Sequence, residues 1–392
     1  MAQTAMRAVE VMHDWDEGDG RAAFQALSEV YRRENGTAPS ERTADSVRLS
    51  AKTGLLREDP PDVWFDWPGE NLEPYLEAGV LADLTDVWTE HDLESKYIAG
   101  ARDVARFDGR YVALPVNIHR INNLFYDTGV VESAGVDPTR AGSPREFIDM
   151  LEQIEDATDA TALIQPWKNP GPVLQLWATT LLGEFGADTY QAVVEGDARA
   201  KRSQIEHALD LVREIADFVP EKSLFLDLAT GPGEFVAEDV AFYVQGDWST
   251  SVFNATDDFA FREDWGHAPF PGTDGLYQMN MDATLVPAVT GRTEGIDAFL
   301  RTIASVDGQI AFNVRKGSIP PRTDVPDDEF SPFQRSQMAD FERSRAQPPS
   351  IAHGLAVRPD RYIELLTTFV SFSESWDVGA TTDEIVTVLT SS

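Results

Sequence analysis

The sequence predicts an α/β protein of two lobes, and three observations carry that prediction. The chain has 392 residues, longer than the roughly 250–300 over which one hydrophobic core keeps growing. Short apolar runs alternate with stretches of helical period, the pattern of strands connected through helices. Proline and glycine interrupt that pattern near residues 115, 268 and 320, which reads as three crossings of the chain rather than one boundary. The lobes are expected to comprise residues 1–117 with 268–322, and 118–267 with 323–392.

Val9 to Met12 reads as a strand ending on His13, Asp14 and Trp15. A turn rich in Asp and Gly follows, and Phe24, Leu27, Val30 and Tyr31 then recur at helical spacing. Ala44, Val47, Ala51 and Leu55 mark a second helix. "DPPDVWFDW" places Pro60–Pro61 before a second strand that closes on Phe65, Asp66 and Trp67. Strands linked through helices argue for a mostly parallel sheet, where ligands bind beyond the carboxyl ends of the strands. Trp15, Asp19, Asp66 and Trp67 all fall at such ends.

In "LPVNIHRINNLFYD", from Leu114 to Asp127, an apolar run meets Pro115, which cannot donate to a central ladder. Asn117, His119, Arg120, Asn122 and Asn123 follow before the apolar Leu124, Phe125 and Tyr126. We read this as a crossing in which His119 and Arg120 satisfy bent backbone, with Asn117 open to either a hinge or a ligand role. Farther on, Phe147, Met150, Leu151 and Ile154 mark a helix, Pro166 to Gly186 a core helix, and Ile205 to Phe218 an amphipathic one. "DVAFYVQGDWS" is a strand ending in Gln245, Gly246, Asp247 and Trp248, and "YQMNMDATLVP" a strand carrying Asp282. "NVRKGSIPPR" breaks the pattern and puts Lys316 in a glycine turn, while His353 lies in the loop-like stretch from Arg343 to Pro359. A last helix runs through Ile363 to Phe372.

Sixty-seven acidic residues stand against 32 basic ones, a net charge of −35, and only six of the basic residues are lysine. The acid is spread along the chain. Such a surface repels itself, nucleic acid and anionic lipid at low salt, and we read it as adaptation to high salt. There is no cysteine, which removes disulfides, thiolate metal sites and a cysteine nucleophile. The six histidines form no i,i+4 pair and no HExxH, so neither metal nor cofactor is expected. A G-x-S-x-G elbow is missing. "LFLDLATGPGEF", from Leu224 to Phe235, resembles the glycine-rich loop of class I methyltransferases, but a surface turn before a helix start is the preferred reading. No window approaches the roughly 18 apolar residues of a membrane span, and the first residues lack a signal-peptide apolar region.

Tryptophans and carboxylates at strand ends have two chemical uses. A sugar ring presents an apolar C–H face and a rim of hydroxyls; Trp15, Trp67 and Trp248 could stack on the face while Asp19, Asp66, Asp282 and Lys316 bond the rim. A glycosidase would use the same parts, with two carboxylates about 5 to 9 Å apart. Each residue alone also suits core or capping roles.

Taken in order, "DPPDVWFDW", "EAGVLADLTD", "GRYVALPVNIHRINNLFYD", "GSPREFIDML", "AFYVQGDWS", "FPGTDG", "FNVRKGSIPPR" and "IAHGLAV" resemble the extracellular solute-binding proteins (family 1) of ABC sugar importers over nearly the whole chain. "PVNIHR", "KGSI" and "AHG" resemble the glucose/mannose-binding branch. The resemblance implies a non-catalytic, periplasmic-binding-protein-like type II fold, two α/β lobes joined by hinge crossings and closing over one glucose-like monosaccharide. It implies stacking by Trp15 and Trp248, polar contacts from Asp19, Asp282, Lys316 and His353, and Asn117 at the hinge. Asp14–Trp15 stands where relatives carry paired tryptophans. The implied partners are the sugar and the permease subunits, with a monomeric binder at the extracellular face or in the periplasm. The alternatives are a glycoside hydrolase or a binder of another sugar such as a disaccharide.

Overall fold

The computed structural model describes residues 8–289 and 291–390. The chain divides into two compact units: one runs up to His119 and resumes at Asn280–Arg335, the other comprises Arg120–Met279 and the chain from Ser336. The crossings thus fall at 119/120, 279/280 and 335/336. The second comes later than the break at 268 because strand Trp265–Pro269 stays paired to Asn123–Asp127. The third lies inside helix Pro332–Arg343.

The first unit is built on a five-stranded sheet in the order Ser40–Thr43, Glu10–His13, Val63–Asp66, Ala283–Leu285 and Leu114–Pro115. Its first two pairings are parallel and its last two antiparallel, so the expectation of a mostly parallel sheet is corrected to a mixed one. Helices Gly18–Asn35, Glu294–Ala304 and Val306–Lys316 complete the core, burying Phe24, Leu27, Tyr31, Phe299, Ile303 and Phe312 against Val11, Val63 and Phe65. Gly18–Asn35 buries Ala23, Phe24, Leu27, Val30 and Tyr31, the apolar stripe that period 3.6 dictates.

The second unit carries a four-stranded sheet in the order Trp265–Pro269, Asn123–Asp127, Val240–Gln245 and Thr161–Ile164. Only the last pairing is parallel. Its core joins Leu124, Leu163, Phe242 and Val244 to Phe147 and Leu151 of helix Pro144–Ala157, Trp177 and Leu181 of Gly171–Val194, and Leu209 and Val212 of Arg202–Ala216. The stretch from Leu224 to Phe235 is not a nucleotide loop: it holds the end of a 3₁₀ turn, Glu221–Phe225, and the start of helix Gly231–Ala237. Among the described residues no helix is long and apolar enough to cross a membrane.

Candidate functional site

Strand direction alone gathers most of the expected residues of the first unit at one edge of its sheet. Glu10–His13 and Val63–Asp66 run parallel, so their carboxyl ends lie side by side. Ala283 pairs with both Asp66 and Pro115 across antiparallel ladders. The same edge therefore receives Asp14 and Trp15 after the first strand, Asp66 and Trp67, Asn117 two residues beyond Pro115, and Asp282 just before Ala283. Asp282 sits between strands Met279–Asn280 and Ala283–Leu285, not within one as its sequence context suggests.

Trp15 is seated on a glycine. A Cβ at Gly20 would run into its ring, so the small residue at the start of helix Gly18–Asn35 fixes where the indole lies. The ring packs beside Phe65 and Phe312, with centroids 4.9 and 5.4 Å away, and the residue remains partly exposed. Lys316 lies 5.9 Å from that ring and donates to Asp19 Oδ2 at 2.6 Å. Lys316 is the last residue of helix Val306–Lys316, with Gly317 as its left-handed cap at φ 79°; the expected glycine turn begins one residue later. Asp19 stands in the first turn of its helix and Lys316 in the last turn of its own, each the sign that the local helix dipole favours.

Asp66 is buried, and only one of its oxygens is served. Oδ1 accepts from Trp67 N at 2.8 Å and Asn71 Nδ2 at 3.1 Å, with Arg48 Nε 3.7 Å away. Oδ2 accepts no hydrogen bond from the described residues. Burial pushes the carboxyl up to about 6 against the pull of Arg48, Trp67 N and Asn71, with the charge of Asp14 adding to the rise. Because the folded value exceeds the unfolded one, the stability Asp66 contributes is complete below its ordinary value of 3.8 and lost as pH rises through about 6. Asp66→Asn is thus expected to stabilise the ligand-free protein at pH 8 by on the order of 3 kcal/mol before the cost of orienting the new amide, read as a higher thermal midpoint. The gain should vanish near pH 4 in paired melts.

Asn117 and Asp282 hold each other reciprocally. Asn117 Nδ2 donates to Asp282 Oδ2 and Asp282 N donates to Asn117 Oδ1, each at 2.7 Å. His119 Nε2 lies 3.1 Å from Asn117 Nδ2 and 3.9 Å from Asp282 Oδ2. Asp14, at the open end of its strand, has an exposed side, yet its carboxyl is raised by desolvation from the chain packed around it and then by the like charge of Asp282. Its own backbone hydrogen bond, Lys316 and Arg48 act the other way.

In the second unit, Trp248 also lies over a glycine: a Cβ on Gly246 would collide with its ring. His353 meets that indole edge-on at 5.4 Å and is oriented by Ser350 Oγ, 2.9 Å from its Nδ1. It closes a short 3₁₀ turn, Ile351–His353, rather than lying in an open loop. The polar run after His119 proves to be satisfied backbone. Asp247 accepts from Arg120 N at 2.9 Å. Arg120 reaches Asp340 at 3.0 Å and lies over the Tyr277 ring at 5.0 Å. Asn122 donates to Thr273 and Leu276 O and accepts from Gln278 N. Asn123 donates to Arg120 O and Gln245 O.

The sequence reading missed Arg48 and Asn71. Asn71 follows Asp66 by five residues in the turn Gly69–Leu72, a spacing visible in hindsight; Arg48, over the Trp67 ring at 4.1 Å, gives no sequence signal. Among the described residues no cluster of His, Cys, Asp and Glu could hold a metal ion.

Residues 26–338 match the family described as bacterial extracellular solute-binding protein. The chain is 34% identical to the xylose/arabinose-binding protein XacG of Haloferax volcanii, over 96% of this chain and 83% of that protein. It is 25% identical to an uncharacterised ABC transporter extracellular-binding protein of Pyrococcus horikoshii, over 98% and 88%. Its fold superposes on a chitin oligosaccharide binding protein with a TM-score of 0.82 at 17% identity, covering 98% of both chains. The fold is that of the type II periplasmic sugar-binding proteins.

Proposed function

The chain belongs to the bacterial extracellular solute-binding protein family, and on that premise we propose that it captures a gluco-configured aldopyranose, glucose or xylose, and delivers it to the permease subunits of an ABC importer. It is the sugar-binding component of a transporter and not an enzyme. The glucose-type motifs of the sequence and the xylose in the name of the Haloferax relative meet in one ligand class. Glucose and xylose share the configuration of their ring hydroxyls at C2, C3 and C4, and differ only in the hydroxymethyl on C5.

The observation that carries the reading is Trp15: a fixed, partly exposed indole with the Lys316–Asp19 pair beside it. It offers an apolar face next to a polar rim, which is the complement of a pyranose. Asp66, Trp67, Asn117 and Asp282 extend that rim in the first unit, and Trp248 and His353 are the contacts of the second. A sugar that binds the closed arrangement of such a protein more tightly than the open one shifts it toward closure. The protein acts as a monomer outside the cell, and its acid excess serves a high-salt medium.

Thermal shift and calorimetric titration in molar salt test this reading with glucose, xylose, mannose, arabinose and maltose. Glucose and xylose should raise the melting midpoint most. A larger response to maltose, or none to any monosaccharide, would overturn the ligand class. Turnover of aryl glycosides above background would overturn a binding role.

A further inference from the structure

Arg48 belongs to none of the expected contacts, yet it stands where the buried carboxylate and the half-buried indole of one strand end meet. It is the second residue of helix Val47–Leu56, whose start is capped by Ser46 accepting from Leu49 N. Its guanidinium lies over the Trp67 ring at 4.1 Å while its Nε is 3.7 Å from Asp66 Oδ1. A guanidinium suits both tasks at once, since it stacks on a ring face and keeps its charge at every relevant pH. The other oxygen of Asp66 is buried and accepts nothing from the described residues, so the group is complete only when a donor arrives.

We propose that Arg48 is a positioning residue of the sugar site: it fixes the Trp67 ring and holds the Asp66 carboxylate beside it, so that the unpartnered Oδ2 accepts a hydroxyl of the ligand. The inference rests on the sugar-binding reading above and adds a residue and a pH dependence to it. The groups facing Asp66 are few. Arg48 approaches from helix Val47–Leu56, Asp14 from the end of strand Glu10–His13, and Asn71 and Trp67 N from the turn that follows Asp66. Tyr75 faces it from helix Glu73–Glu77. Of these, Arg48 is the one cation, and it opposes burial most strongly. An ionised acceptor makes the stronger, charge-assisted bond to a hydroxyl; once protonated, Asp66 no longer offers that bond. Affinity should therefore fall as pH drops through about 6, and loss of the cation should carry that fall to higher pH.

Three variants test the proposal: Arg48→Met keeps the apolar stem over Trp67 without charge, Arg48→Lys restores the charge without the planar fork, and Asp66→Asn removes the titrating group. Sugar affinity is measured from pH 5 to pH 8.5 by titration calorimetry in molar salt, beside melts of the ligand-free proteins over the same range. In the parent, affinity should drop ~10-fold or more on acidification. Arg48→Met should show the same drop displaced upward, Arg48→Lys should return it toward the parent, and Asp66→Asn should give a flat, weak profile. The melts read the same charge without sugar: the deficit of Arg48→Met against the parent should be larger at pH 8 than at pH 5. A pH-independent deficit together with superimposable affinity profiles overturns the role of Arg48. If the parent binds no sugar while the deficit still grows with pH, the sugar reading fails and the Arg48–Asp66 coupling stands.

Discussion

Replacing Asp282 by alanine is expected to weaken sugar binding on the order of 10- to 100-fold, the worth of one buried hydrogen bond to a charged group. The loss has two parts. A hydroxyl of the sugar loses a carboxylate acceptor at the strand-end edge. In addition, Asn117 loses the carboxylate that accepts from its amide at 2.7 Å, while the backbone N–H of residue 282, which alanine keeps, still donates to its oxygen at 2.7 Å. Asn117 is fully buried, so an amide without that partner costs more than its bond was worth. Asn117→Ala should then reproduce much of the effect, and the double replacement should cost less than the two single losses together, the mark of residues acting as a unit. Titration calorimetry with glucose and xylose in molar salt measures all three. Unchanged affinity in Asp282→Ala would remove Asp282 from the site, and strict additivity would separate it from Asn117.

What the sequence makes legible about this edge is local. Asp66 with Trp67, and Gln245 to Trp248, close apolar strands on polar and aromatic residues, and a strand end in an α/β sheet is where a ligand sits. The polarity of Asn117 to Asn123 is legible in kind as well, since buried bent backbone needs partners. The identities of those partners, Thr273, Leu276, Gln278 and Asp340, lie more than 150 residues away and leave no local trace. Sheet direction is hidden for the same reason: the ladder between Asp66 and Ala283 joins segments whose patterns do not mention each other. Strand Ser40–Thr43 is missed because all four of its residues are exposed, so it shows no apolar alternation. Arg48 is one of many arginines on helices, and only the packing of its helix beside Val63–Asp66 gives it a role. Lys316 shows the limit at a boundary: Gly317 ends its helix as a left-handed cap should, but Asn313 and Arg315 made the last turn look broken before it was.

Lowering the salt from about 2 M to about 0.1 M should lower the thermal midpoint by ~10 °C or more, corresponding to a few kcal/mol in domains of this size. Two effects of salt oppose each other. Screening weakens exposed ion pairs such as Arg33–Asp307 and Arg213–Asp210, but each of these is worth about 0–1 kcal/mol. Screening also relieves the mutual repulsion behind a net charge of −35. At 0.1 M that repulsion reaches about 10 Å, far enough to couple neighbouring carboxylates over the surface, whereas at 1 M it reaches about 3 Å. With 67 acidic residues and 32 basic ones, most carboxylates have no cation to lose, so the repulsive part wins and salt stabilises. Glu155, Asp156, Asp257, Asp258, Asp328 and Glu329 are exposed, and changing these six to their amides should flatten the dependence without touching the strand-end edge. Melting curves across a potassium chloride series, for the parent and for this variant, decide the matter: a midpoint indifferent to salt in the parent would reduce the acid excess to plain composition. Equal slopes in both proteins would assign the salt effect to burial of apolar surface rather than to charge.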